Sequence, residues 1–218
     1  VAIHLLRDLE NLKRELLTVG SLVEDATNKA ILALVDRRPE LAEEVRVGDR
    51  VVDKQEVHVE DVCLKILALH QPVATDLRFV VAVLKVNNDL ERVGDLAGNI
   101  ASRARDLASG EPVPVPAEIN EMSTRVRAML CDCLNALVGA DLDLARKVLS
   151  DDEAVDTLHL AIFGLIEARM RAEPERIGAW IQLLSVSRYL ERIADLATNI
   201  AEDVIFMVQG ELVRHQIW

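Results

Sequence analysis

The chain has 218 residues, half of them hydrophobic but only 3% aromatic, and its 25 Lys and Arg against 37 Asp and Glu leave a formal net charge of −12. That apolar fraction excludes a disordered acidic tail, and nine glycines with six prolines are too few for a sandwich or barrel of many short strands. So acidic a surface repels nucleic-acid phosphates, which excludes nucleic acid as a partner and suits cations or basic protein patches.

Helical spacing starts at once. Leu5, Leu9, Leu12, Leu16, Val19 and Val23 recur at steps of three and four and predict a helix over residues 4–36. A second helical stretch runs from 40 to 71, with Gly48 as its expected break. Thr75-Asp76 reads as the N-cap pair of a third helix reaching residue 108. Ser109-Gly110-Glu111-Pro112-Val113-Pro114-Val115-Pro116 then reads as a polyproline-like linker. The rhythm repeats over 117–139, 141–172 (with Ser150-Asp151-Asp152-Glu153 as an expected capping box) and 175–209. The prolines fall between these segments, where a missing N–H does least harm. No apolar run approaches the ~18 residues that span a bilayer, and the first 30 residues alternate charge with hydrophobe, so a cytoplasmic location is expected. Cys63, Cys131 and Cys133 are an odd number without a second Cys pair, and read as small apolar core residues in a reducing compartment.

The second half copies the first. Leu90-Glu91-Arg92-Val93-Gly94-Asp95-Leu96-Ala97-Gly98-Asn99-Ile100-Ala101 precedes Leu190-Glu191-Arg192-Ile193-Ala194-Asp195-Leu196-Ala197-Thr198-Asn199-Ile200-Ala201 by 100 residues, with nine of twelve positions identical. Val52-Asp53 and Val155-Asp156 echo each other at an offset of 103. The expected fold is therefore all-α, two tandem three-helix bundles over residues 1–108 and 117–218 joined by the linker at 109–116.

At 100° per residue, Glu91, Asp95 and Asn99 share one sector of a helix, as do Glu191, Asp195 and Asn199, opposite a core stripe of Leu90, Val93, Ala97, Ile100 and Ala104. Either step alone is common on solvated helix faces, but like charges at i, i+4 are mildly destabilising and here they recur. Folding the helices back at 72–74 and near 174 sets Asp53 level with residue 93 and Asp156 level with residue 193. A turn near Pro39 likewise sets Glu24 and Asp25 level with Asp53. Asp49, Asp53, Glu56 and Glu60 share a face, as do Asp152, Asp156 and His159. The candidate metal ligands are thus Asp53, Glu91 and Asp95 in the first repeat and Asp156, Glu191 and Asp195 in the second. Hard oxygens suit Mg, Ca, Mn or Fe, and His159 tilts the second site towards a transition metal. A bare acidic face that docks a basic partner is the alternative. A carboxylate-bridged metal enzyme is a further one, and it requires a cleft-held metal pair with an open coordination position. No catalytic residue is expected, because no Gly-rich phosphate loop, nucleophile elbow or Cys/His pair occurs. His4, His58, His70 and His215 read as surface or capping residues.

These residues resemble the PhoU family, the phosphate-uptake regulators of bacteria. The likeness covers nearly the whole chain and rests on the two repeated segments, on Gln71-Pro72-Val73-Ala74-Thr75-Asp76-Leu77-Arg78, and on Asn199-Ile200-Ala201-Glu202 followed by Gly210 and His215. It implies two three-helix bundles related by a pseudo-two-fold. It also implies multinuclear iron or zinc clusters on the Glu91/Asp95 and Glu191/Asp195 motifs, with Asn99, Asn199 and Glu202 as nearby supports. Asp76 and Arg78 match the family's Asp-Leu-Arg element, whereas the second copy has Arg176 and Gly178 there. Its members look like non-catalytic adaptors that couple the phosphate ABC transporter ATPase to a sensor histidine kinase, holding down uptake and the starvation response when phosphate is plentiful. Membrane contact would come through those partners, and a homodimer is expected.

Overall fold

The structure, a computed structural model, describes residues 2–210. His215 and the end of the predicted second bundle lie outside the described residues. Six helices occupy nearly all of the rest: α1 (Ala2–Val35), α2 (Pro39–His70), α3 (Ala74–Ser109), α4 (Ala117–Gly139), α5 (Leu142–Ala172) and α6 (Ile177–Gln209), with a short 3₁₀ turn at Pro174–Arg176. No strand occurs among the described residues.

Local chemistry sets the ends. Pro39 opens α2 at a position where the absent N–H is not needed. Gln71 closes α2 in the left-handed conformation (φ 47°) and Pro72 follows it. The Asp141 carboxylate caps α5 by accepting from the backbone N–H groups of Asp143 and Leu144, both at 3.0 Å. Gly210 ends α6 at φ 76°, with Arg78 packed 3.4 Å from where a Cβ would stand.

Three local expectations are corrected. Gly48 does not break α2; a lone glycine costs only about 1 kcal/mol in a helix otherwise anchored by Val45 and Val52 in the core. Thr75-Asp76 is not the cap of α3, which begins one residue earlier behind an extended Val73 with no side-chain cap bond. Ser150-Asp151-Asp152-Glu153 lies inside α5, where the Ser150 hydroxyl donates to the Lys147 carbonyl at 2.8 Å. Ala145 and Val148 are buried ahead of it, so packing starts the helix at Leu142.

α1, α2 and α3 pack on one another, as do α4, α5 and α6, and the two bundles meet chiefly along α3 and α6 with a lesser contact between α1 and α4. One face therefore reads α2, α3, α6, α5 across the molecule. The core stripe holds: Leu90, Val93, Ala97, Ile100 and Ala104 are all 2% exposed or less. Burying each large aliphatic is worth about 1.5–3 kcal/mol. The core is continuous between bundles. Gly20 lets α1 approach α4, since a Cβ there would stand 3.0 Å from Leu134 Cδ1. Lys85 donates to the buried Asp203 at 2.9 Å and lies over the Phe206 ring, while Arg103 donates to Gln182 at 2.9 Å near the other end of the α3–α6 seam. Residues 112–116 carry no helix, but Val113 is buried.

All three cysteines are free thiols. Cys63 and Cys133 are buried as expected, and burial pushes the Cys63 thiol up to about 12. Cys131 is exposed instead, because it sits on the solvent side of the stripe that buries Leu130 and Cys133.

Candidate metal centre

The α2–α3 register is fixed by two contacts. The buried Asn87 donates from Nδ2 to the Glu56 carbonyl at 2.9 Å, and Val52 lies 3.5 Å from where a Cβ on Gly94 would stand. Counting one turn along each antiparallel helix sets Asp53 level with Glu91 and Asp49 level with Asp95. The electrostatics agree. Burial raises the Glu91 carboxyl above its ordinary value, and Asp95, Glu56, Asp53 and Asp49 push it further. Asp49 is raised by burial and then by Asp53 and Asp95; Glu56 by burial and then by Glu60 and Asp53.

The second bundle repeats the arrangement. His159 Nδ1 lies 2.6 Å from the Ser187 hydroxyl, which sets Asp156 level with Glu191 and Asp152 level with Asp195. Burial, then Asp156, Asp195 and Glu191, push Asp152 up to about 6. Asp195 is raised by burial, Glu191 and Asp156, with Arg192 acting against them.

The six predicted ligands therefore stand in two grooves of like charge, each with a further aspartate, Asp49 or Asp152. They are neighbours rather than a closed shell: among the described residues no three His, Cys, Asp or Glu side chains come close enough to hold one ion. Mutual repulsion at this spacing favours outward rotamers. The donor set nonetheless fits a cation. Asn87, 1% exposed, leaves its Oδ1 without a partner beside Glu56. When His159 Nδ1–H donates to Ser187, its Nε2 lone pair is left for a metal. Asn87 and Ser187 went unnoticed in the sequence, although each continues the i, i+4 ladder one turn before Glu91 and Glu191.

Other expected neighbours fall elsewhere. Asp25 pairs with Lys29 at 2.9 Å, and Lys29 also holds Glu44 at 3.0 Å, while Glu24 faces Cys131 of α4. Being level with α2 was not enough; the rotation of α1 turns both acids away from the groove. Asp76 lines an apolar cleft with Phe79 and Met207, about 22 Å along α3 from Glu91. Arg78 donates to the Met207 carbonyl at 3.3 Å and so closes the end of α6. His70, read as a surface or capping residue, is part-buried at the end of α2: its Nε2 lies 2.9 Å from Asp8, and that contact holds the Asp8 carboxyl below its ordinary value.

The first groove shares a wall with the cleft between the bundles. Asp95 and Asn99 line both the groove beside Asp49 and a larger cleft of about 670 Å³ between α3 and α6, whose opposite side carries Asp195 and Asn199.

Fold and site together define an all-helical, internally duplicated protein that presents paired acidic grooves on one face. The family model for the PhoU domain matches it twice, at residues 16–104 and 119–204, and the chain belongs to the PhoU family. It is 40% identical over 212 residues to the phosphate-specific transport system accessory protein PhoU homolog of Aquifex aeolicus, covering 97% of this chain and 96% of that protein. The Pseudomonas aeruginosa homolog is 37% identical over 209 residues, covering 95% and 86%. The crystal structure of PhoU from P. aeruginosa superposes with a TM-score of 0.91 at 36% identity, covering 94% of this chain and 99% of that one. That of the phosphate transport system regulatory protein PhoU from Streptococcus pneumoniae gives 0.90 at 31%, covering 96% and 99%. No helix among the described residues is long and apolar enough to cross a membrane.

Proposed function

We propose that this protein is a non-catalytic cytoplasmic regulator of phosphate uptake and phosphate-starvation signalling that binds metal through its two acidic grooves. In this reading it is an adaptor between the phosphate ABC transporter ATPase and a sensor histidine kinase, and it works as a homodimer. The names of its relatives, accessory and regulatory proteins of phosphate transport, support the regulatory part. One observation carries the metal part: twice, an Asp-x-x-x-Asp on one helix lies against a Glu-x-x-x-Asp on its antiparallel neighbour, where burial and then the neighbouring acids raise carboxyl pKa values.

Asp49, Asp53, Glu91 and Asp95 would hold the ions of the first groove, and Asp152, Asp156, Glu191 and Asp195 those of the second, with iron and zinc as the expected metals. A bound cation supplies positive charge that cancels the repulsion and ties neighbouring helices together. The protein's own part is positioning. Ser187 orients His159, and Asn87 holds α2 against α3.

Elemental analysis with thermal unfolding of purified protein tests this. Bound Fe or Zn, and a melting temperature that rises with added metal and falls with chelator, are expected. No bound metal and an unchanged melting temperature would remove the metal part. The separation of the carboxylates gives one rival its footing, a metal-free adaptor that grips a basic surface. Partner binding that weakens steeply with salt and ignores chelators favours that rival.

A further inference from the structure

The repeat retains more than the core and the grooves require. Of its nine identical positions, five are buried apolar residues and two are the groove acids. Two are left: the arginines Arg92 and Arg192 and the asparagines Asn99 and Asn199. No core contact holds the arginines, which are both exposed. All four residues nevertheless line a single cleft, the one between α3 and α6, placed on the pseudo-two-fold that relates the bundles.

Their pairing is as telling as their place. Asp95 and Asp195 share the cleft, yet neither arginine forms a salt bridge to either aspartate among the described residues. Arg92 reaches back one turn to Asp89 at 3.1 Å. Two guanidinium forks and two carboxamides thus bring hydrogen-bond donors from opposite sides of one axis, a donor set that matches a tetrahedral dianion. The charges set a condition. Two arginines and two aspartates cancel, and acidic grooves flank the cleft on either side, so an anion is repelled from the metal-free protein. Cations in those grooves would neutralise Asp95 and Asp195 and leave the arginines dominant.

We propose that the α3–α6 cleft is an oxyanion site for a doubly charged tetrahedral anion of the phosphate class, held by Arg92, Arg192, Asn99 and Asn199 and open to its ligand when the grooves hold cations. The condition rests on the metal reading above. Linkage makes it reciprocal: the anion tightens metal binding by the same factor.

Calorimetric titration of inorganic phosphate into manganese-loaded and metal-free protein tests this, with metal content measured on the same samples. Loaded protein is expected to bind one phosphate per chain, at least about tenfold more tightly than metal-free protein. Arg92→Gln and Arg192→Gln should each weaken it about tenfold, and the double variant should abolish it with metal content unchanged. AMP titrated alongside separates free phosphate from a phosphoryl group carried on a larger molecule; binding of either that the double variant loses sustains the site. Fully loaded protein that binds neither overturns the proposal, as does a double variant that binds like the wild type. Protein that takes up neither manganese nor iron or zinc counts against the metal reading instead, and metal-free protein then decides the cleft. Phosphate binding lost in the double variant keeps the oxyanion site, and no binding rejects it.

Discussion

The two bundles solve the same problem with different chemistry. The first groove is faced by carboxylates and a carboxamide, Asp49, Asp53, Glu56, Glu91, Asp95 and Asn87. The second replaces Glu56 with His159 and Asn87 with Ser187 at the matching level, and the replacements bond to each other at 2.6 Å. Elsewhere the repeat keeps a bridge and reverses its sign: Lys29 to Glu44 between α1 and α2 becomes Asp132 to Lys147 between α4 and α5. An exposed bridge needs only opposite charges and survives inversion, whereas the Glu-x-x-x-Asp steps keep both identity and sign. That contrast is what the proposed ligand role predicts for the Glu-x-x-x-Asp steps and what a purely stabilising pair does not require.

The comparison breaks most visibly at the proposed metal ligands. Glu191→Ala with Asp195→Ala should cost the second groove at least about 100-fold in metal affinity and leave the first occupied, and Glu91→Ala with Asp95→Ala should do the reverse; elemental analysis of each variant reads this directly. His159→Ala should lower zinc affinity about 10- to 100-fold in the second groove alone, while manganese binding there changes little, measured by competition titration.

A smaller effect tests the electrostatics in metal-free protein. Asp152 titrates near 6 when folded and near 3.8 as a free side chain, so the folded state gives up its proton less readily. Its contribution to stability is therefore greatest below pH 4 and is lost as pH rises to about 6. Asp152→Asn should stabilise metal-free protein at pH 7 by about 1 kcal/mol, allowing for solvent screening, and show no gain at pH 4 in thermal denaturation. Smallest of all, Gly48→Ala should add about 0.5–1 kcal/mol, since nothing lies within 4 Å of a Cβ there and the residue is mid-helix; urea denaturation reads it.

Most of the fold was legible because proline and apolar spacing are strong local signals. Pro39, Pro72 and Pro174 mark real turns, and Leu90, Val93, Ala97 and Ile100 lie where their period puts them. The failures share a cause. Ser150 through Glu153 has the composition of a cap, but composition does not say where packing begins. Height along a helix can be counted from a turn, which placed Asp53 near Glu91; rotation about the axis cannot, which is why Glu24 and Asp25 were misplaced. Asn87 and Ser187 were hidden because a buried polar residue on an apolar stripe looks like noise until its partner is seen.

The continuous core has a mechanical consequence. With Leu134 seated against Gly20, Val113 of the connection itself buried and Lys85 clasped to Asp203, the halves lack the loose joint that tandem units usually have. Moving one bundle relative to the other therefore means opening part of a core they share, so a displacement of either half strains the packing of both.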